Sequence, residues 1–172
     1  MSRKKLPYAE GDWIAVPLRD GGYAVGRLAR VNNKGGLVAY FFGPRHQELP
    51  TVSELDALVP GDAVLVARLG DLGLLKGHWP VLGQSRLWER SQWCVPAFGR
   101  YEGLSGRSLK VEYDDNDPMV LTHETGISDQ ERATLPQDGL FGAGAVERVL
   151  TCLLPSGFSG PRARSDDSDG LE

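Results

Sequence analysis

The sequence predicts an α+β, mostly β fold: an antiparallel twisted sheet or partly open barrel with a C-terminal helix packed on it. Three observations carry this. GDWIAVPLRDGGYAVGRLARV at residues 11–31 sets two runs rich in β-branched and aromatic residues on either side of RDGG, whose glycines supply the positive φ of a hairpin turn. Short apolar runs closed by Gly or Pro recur from there to residue 121, at strand length. Near the end, Val146, Val149, Leu150 and Leu153 share one face at helical spacing, with Glu147, Arg148 and Thr151 opposite, and Pro155 stops the pattern.

The first strand is residues 13–18. Its Pro17 has no amide hydrogen for a ladder, which makes this an edge strand or places Pro17 at a bulge. The partner strand, 23–31, contains Gly26, a gap that a ring such as Trp13 or Trp79 can fill. NNKGG at 32–36 is a turn, and LVAYFF at 37–42 completes an antiparallel meander ended by Gly43-Pro44. TVSE at 51–54 has the spacing of a capping box and opens a short helix, carrying Leu55 and Leu58, that stops before Pro60.

Residues 63–69 begin apolar on both faces, the mark of a central strand. GDLGLLKG at 70–77 is a glycine-punctuated loop before the apolar run WPVL. WCVPAF at 93–98 reads as a strand interrupted by Pro96, 99–108 as a loop, and LKVEY at 109–113 alternates as a half-exposed strand. After the turn DDNDP, residues 119–121 return as its hairpin partner, and SDQE at 128–131 is a second capping box. The last helix is expected at about 142–154.

At 172 residues the chain is one domain's worth, enough for a sizeable core without disulfides or metals. We divide it into a flexible arm at 1–9, a single domain at 10–154, and a tail at 155–172 whose Ser, Gly, Pro and charge predict disorder. Cys94 and Cys152 are far apart and form no CxxC, so a reduced compartment is the simpler reading. The basic start has no apolar stretch behind it, and no run approaches the roughly 20 apolar residues of a membrane span. The expectation is a soluble, cytoplasmic protein.

The net charge of −4 is unevenly spread. Residues 112–131 hold seven acids and no Lys or Arg, the strongest charge feature in the chain. Nothing basic is clustered densely enough for phosphate binding, so nucleic acid is not an expected partner, nor is a membrane; a basic protein surface fits better.

Enzymatic chemistry needs convergent reactive groups. His46, His78 and His123 are scattered singly, and no HExxH, GxxxxGK[ST] or GxSxG occurs. GLSG at 103–106 and GDLG at 70–73 precede no strong helix and read as turns rather than phosphate cradles. Cys94 is either a nucleophile paired with a histidine by folding or, as is commoner for free cysteine, a small buried hydrophobe. His123 and Glu124 beside Asp114, Asp115 and Asp117 offer oxygen donors for a cation, but the spacing does not wrap an ion and a solvated acidic turn is expected. No metal or cofactor is expected. Trp13 and Trp79 lie in apolar strands and belong to the core. Trp88 and Trp93 flank a polar stretch, where an exposed ring would anchor an interface, although burial is the commoner fate of each.

One ordered set of residues resembles a known family. Gly11, Asp12, Pro17 and Leu18 in the first strand, Gly26 and Arg27 in the second, Trp79, Pro80 and Gly83, and then Val146 and Glu147 in the last helix are similar to the immunity protein 26 family of bacterial polymorphic toxin systems. The resemblance spans about residues 10–154, with no alignable likeness over 86–131. It implies a mostly β cytoplasmic protein that binds and neutralises a cognate toxin, and carries no catalytic residues over.

An inhibitor needs a stable scaffold and a complementary surface, not an active site. The expectation is therefore an immunity protein, not an enzyme, that occludes its toxin's active site or substrate groove. The surface expected to do so is acidic, Glu112, Asp114, Asp115, Asp117 and Glu124, with Trp88 and Trp93 contributing if exposed, and its partner a toxin with a basic surface. Two alternatives remain: an adaptor that takes a peptide by strand addition along residues 13–18, and a small hydrolase using Cys94 or an acidic metal site.

Overall fold

The hairpin forms where the sequence puts it. In the computed structural model, which describes residues 5–156, β1 (Asp12–Pro17) pairs antiparallel with β2 (Tyr23–Val31), and Gly21 and Gly22 take φ of 107° and 72° at the turn. β3 (Gly36–His46) and β4 (Leu65–Gly70) extend the meander, and β5 (Val81–Gln84) returns to the far side of β1. β6 (Phe98–Glu102), β7 (Arg107–Tyr113) and β8 (Leu121–Ile127) make a separate three-stranded antiparallel sheet in that order. β9 (Leu140–Phe141) then adds to β4 in parallel, giving a first sheet ordered β5-β1-β2-β3-β4-β9. The fold is mostly β with two open sheets, the larger one mixed. No barrel closes.

Three strand expectations are corrected. β1 is not an edge: β5 pairs with Asp12, Trp13 and Ile14, and the Ala15 amide donates to the Pro80 carbonyl at 2.9 Å. Pro17 lies past the stretch β5 covers, so its missing hydrogen interrupts no ladder on that side. β3 does not end at Gly43-Pro44 but runs on to His46, because a register shift between Tyr23 and Val25 absorbs the proline. Residues 93–97 form no strand; the ladder starts at Phe98, the last residue of the strand expected there, and runs to Glu102 through part of what read as a loop.

Gly26 is needed for close approach, but to Phe41, whose Cδ1 would lie 2.7 Å from an added Cβ; neither Trp13 nor Trp79 fills the gap. The first capping box forms, and of the second only the hydroxyl half does. Thr51 and Glu54 exchange contacts ahead of α1 (Val52–Leu55), which buries Leu55. α2 (Leu72–Leu75) is a single turn inside the stretch read as loop, held by Gly73 against the Trp79 ring. Ser128 accepts from the Glu131 amide at 3.1 Å ahead of α3 (Asp129–Ala133), and α4 (Ala143–Leu153) follows Gly142 as expected.

The first sheet is covered on both faces. On one, Ile14, Leu28, Leu37, Phe41, Ala67 and Leu69 pack against Trp79 and against Val146 and Leu150 of α4. On the other, Trp13, Val25, Val38, Tyr40 and Phe42 pack with Leu55 and Trp93. Tyr8, within the span read as an arm, is buried and donates to Asp71 at 2.7 Å, so the ordered body begins before residue 10. The tail from 157 onward and residues 1–4 lie outside the described residues.

Candidate partner-binding surface

The strand sequence YAVGRLARV carries two arginines three apart, which strict alternation would send to opposite faces and which the register shift between Leu28 and Arg30 brings to one. β2 contributes Arg27 and Arg30 and β4 contributes Arg68, all three on the face away from α4 and each under one-tenth exposed. Burying a guanidinium is costly unless hydrogen bonds and rings replace its water. Arg27 is caged by Trp13, Trp88 and Trp93, with its Cζ 4.8, 4.8 and 4.9 Å from the ring centres, and its Nε donates to the Gly11 carbonyl. Arg30 donates to the carbonyls of Ala29, Trp93 and Asp115 and to Asp115 Oδ1 at 2.8 Å. Arg68 lies 3.6 Å over Tyr113 and pairs with Asp138 at 3.1 Å.

These contacts dock the second sheet onto the first and fix where the acidic turn projects. Asp115, in the turn between β7 and β8, is held by Arg30 and, through Oδ2, by Arg90 at 3.0 Å. Partial burial works to raise its carboxyl, but the two guanidiniums outweigh burial and hold it below the usual carboxylate range. Asp114 accepts from the amides of Asn116 and Asp117, and Asp117 from Asn32 Nδ2 and the Met119 amide, which lower the Asp117 carboxyl too. Glu124 pairs with Arg100 at 2.8 Å. Glu112, half-buried, makes no side-chain hydrogen bond among the described residues.

The structure thus brings Asp114, Asp115 and Asp117 together at one turn, with Glu112 and Glu124 on opposite faces of the hairpin below it. Trp93 does not meet the condition of exposure: it is 3% exposed, because the irregular backbone at 93–97 turns its ring into the aromatic cluster. Trp88 is half-buried over Arg27. The same backbone leaves Cys94 exposed rather than buried, with its sulfur 3.3 Å from the Ser91 carbonyl. Among the described residues no three His, Cys, Asp or Glu side chains group around a metal site, and no helix is long and apolar enough to cross a membrane.

Sequence reasoning passed over the arginines. Two charged residues inside an otherwise apolar nine-residue strand were the signal. The hairpin partner expected at 119–121 is corrected too: β8 begins where that span ends and runs to Ile127, exposed along nearly its whole length and paired with β7 on one side alone. The peptide edge expected on β1 is occupied by β5, whereas β8 has an open one.

A family model for immunity protein 26 matches residues 9–110, more than half of the chain. The chain belongs to the immunity protein 26 family. Membership implies neutralisation of a toxin by a protein built to be complementary to it. No curated protein and no solved structure matches the chain. The family match covers the first five strands, β6 and the start of β7, and it reaches into the 86–131 stretch that showed no likeness to the eye; β8, α3, β9 and α4 lie beyond it. The motif residues serve the scaffold. A Cβ on Gly11 would strike the Trp88 ring at 2.8 Å, Arg27 fills the tryptophan cage, and Trp79 Nε1 donates to Glu147 of α4 at 2.9 Å, joining the matched region to a helix outside it.

Proposed function

We propose that this immunity protein neutralises its cognate toxin by covering the toxin's active site or substrate groove with the β7–β8 hairpin and its acidic turn, in the cytoplasm and with no catalysis of its own. The observation that carries the reading is where the family match stops. It ends at residue 110, inside β7, so most of the hairpin lies beyond the region that the family model describes, as do α3, β9 and α4. Inhibitors in one family that meet different toxins need a division between a common core and individual surfaces. Glu112, Asp114, Asp115, Asp117 and Glu124 give the hairpin its charge. Toxins that act on nucleic acid have basic grooves, and an acidic hairpin competes there with phosphate.

Trp88 stands behind this surface, and Trp93 supports it from inside through its carbonyl bond to Arg30. The test uses a residue the fold does not need. Asp114 and Asp115 hold the turn and the sheet docking, so reversing them confounds folding with binding, whereas Glu112 is free of such duties. Glu112→Lys is expected to slow association with the toxin about threefold to tenfold at low salt and to flatten its salt dependence, with dissociation little changed. An unchanged association rate would remove the acidic hairpin from the interface.

A further inference from the structure

On the face of the second sheet turned away from the first, α3 lies so close to β6 that a Cβ on Gly99 would stand 2.9 Å from Arg132 Cγ. Beside this contact is a half-open cavity of about 330 Å³, lined by Arg100, Tyr101, Arg132, Leu135 and Asp138 among others, at the small end of the roughly 300–1,000 Å³ typical of ligand sites. Most of its charge is already committed. Asp138 accepts from Arg68, Arg100 and Tyr113, and Arg100 donates to Asp138, Glu124 and Tyr113.

Arg132 differs. Its Nε donates to Ser108 Oγ at 2.8 Å, its Cζ stands 5.3 Å from the Tyr101 ring centre, and Ser108 in turn donates to Asp129. Among the described residues its two terminal amino groups have no hydrogen-bond acceptor, and no carboxylate lies within 4.0 Å of them. A guanidinium anchored at Nε has lost most of its freedom already, so a ligand that meets its outer nitrogens loses little further entropy. Tyr101 beside it is 55% exposed, and arginine with tyrosine is the pairing enriched where interfaces concentrate their energy.

We propose that this cavity receives an acidic side chain of the toxin, an aspartate or glutamate, gripped by the terminal amino groups of Arg132 with its stem against Tyr101. The inference rests on the toxin-binding reading and deepens it. The acidic turn and Arg132 then present opposite charges to one partner, which fixes orientation where a single-sign patch would not.

The experiment is a double-mutant cycle between Arg132→Gln and removal, one at a time, of the toxin's surface carboxylates. Arg132→Gln is expected to weaken binding about tenfold or more, Arg132→Lys to recover part of it, and one toxin acid to couple to Arg132 by a similar factor. Ser108→Ala is the structural control: it removes the Nε anchor but keeps the guanidinium, so it should cost only the lost pre-ordering and weaken binding severalfold less than Arg132→Gln. Equal losses in Ser108→Ala and Arg132→Gln, wild-type affinity in Arg132→Gln, or no coupled acid would each overturn the proposal. Absence of any complex with the unmodified chain would instead take down the toxin-binding reading itself.

Discussion

On the α4 side of the first sheet, Leu28, Leu37, Phe41 and Leu69 meet Trp79, Val146 and Leu150, and the Trp79–Glu147 hydrogen bond is the polar tie at the rim. On the opposite side Arg27, Arg30 and Arg68 stand among Trp13, Tyr40, Trp93 and Tyr113, and reach into the second sheet. The first face is held by apolar volume, which stabilises without choosing one arrangement over another of similar size. The second adds to its own apolar cluster the directional bonds of Arg30 and Arg68, which one docking allows, and leaves Arg27 Nη2 and Arg68 Nε without a hydrogen-bond partner among the described residues. An immunity protein that binds as proposed here needs both: a core that folds whatever its surface becomes, and a mount that holds the hairpin at a fixed angle.

That contrast is sharpest in Phe41→Ala. The substitution opens a cavity against Gly26 on the apolar face and is expected to cost about 4 kcal/mol, read as a lower urea midpoint, while Phe41→Leu, which keeps most of the volume, costs less than half as much. Asp138→Ala tests the other face. It leaves the Arg68 guanidinium buried without its carboxylate, at about 3 kcal/mol, and the double change Arg68→Met with Asp138→Leu is expected to be more stable than Asp138→Ala alone. If the double variant is the worse of the two, Arg68 stabilises this face through contacts that do not need Asp138, such as the Tyr113 ring and the Pro118 carbonyl.

The smallest effect is in acid. Burial works to raise the Asp138 carboxyl, but hydrogen bonds from Tyr113, Arg100 and Arg68 outweigh it and hold it below the usual range. Its folded-state value is therefore lower than its unfolded one, so the stability it contributes is present above a pH of about 4 and is lost as pH falls through the folded value. The melting temperature of the unmodified chain should fall on acidification in that range, and that of Asp138→Asn should fall less steeply; parallel slopes would show that Asp138 does not carry the effect.

Local chemistry made much of this legible. The RDGG turn, the Thr51–Glu54 capping box, the Ser128 cap and α4 each depend on residues within a few positions of one another, and all form as the sequence predicts. What depended on distant partners did not show. β5 beside β1, and β9 beside β4, pair across gaps that no periodicity records. The acids of the hairpin stood out by composition, yet their meaning came from Arg30, Arg90 and Arg100, which lie 85, 25 and 24 positions from the carboxylates they hold. Cys94 left its expected burial because the strand pattern at 93–98 ran through residues that form no ladder before Phe98, while Trp93 met the commoner fate of a tryptophan and is buried.

The tryptophan cage makes the molecule its own spectroscopic reporter. Three of its four indoles surround Arg27 under the connection from β5 to β6, and Trp93 meets the Trp13 ring edge-on at 84°, so the chiral near-ultraviolet signal arises mainly there, where the Trp93 carbonyl also holds Arg30, rather than at Trp79 on the far face. Circular dichroism at those wavelengths follows the packing of that connection, and far-ultraviolet circular dichroism follows the strands themselves. Separation of the two traces during denaturation would show that connection loosening while the larger sheet is still folded.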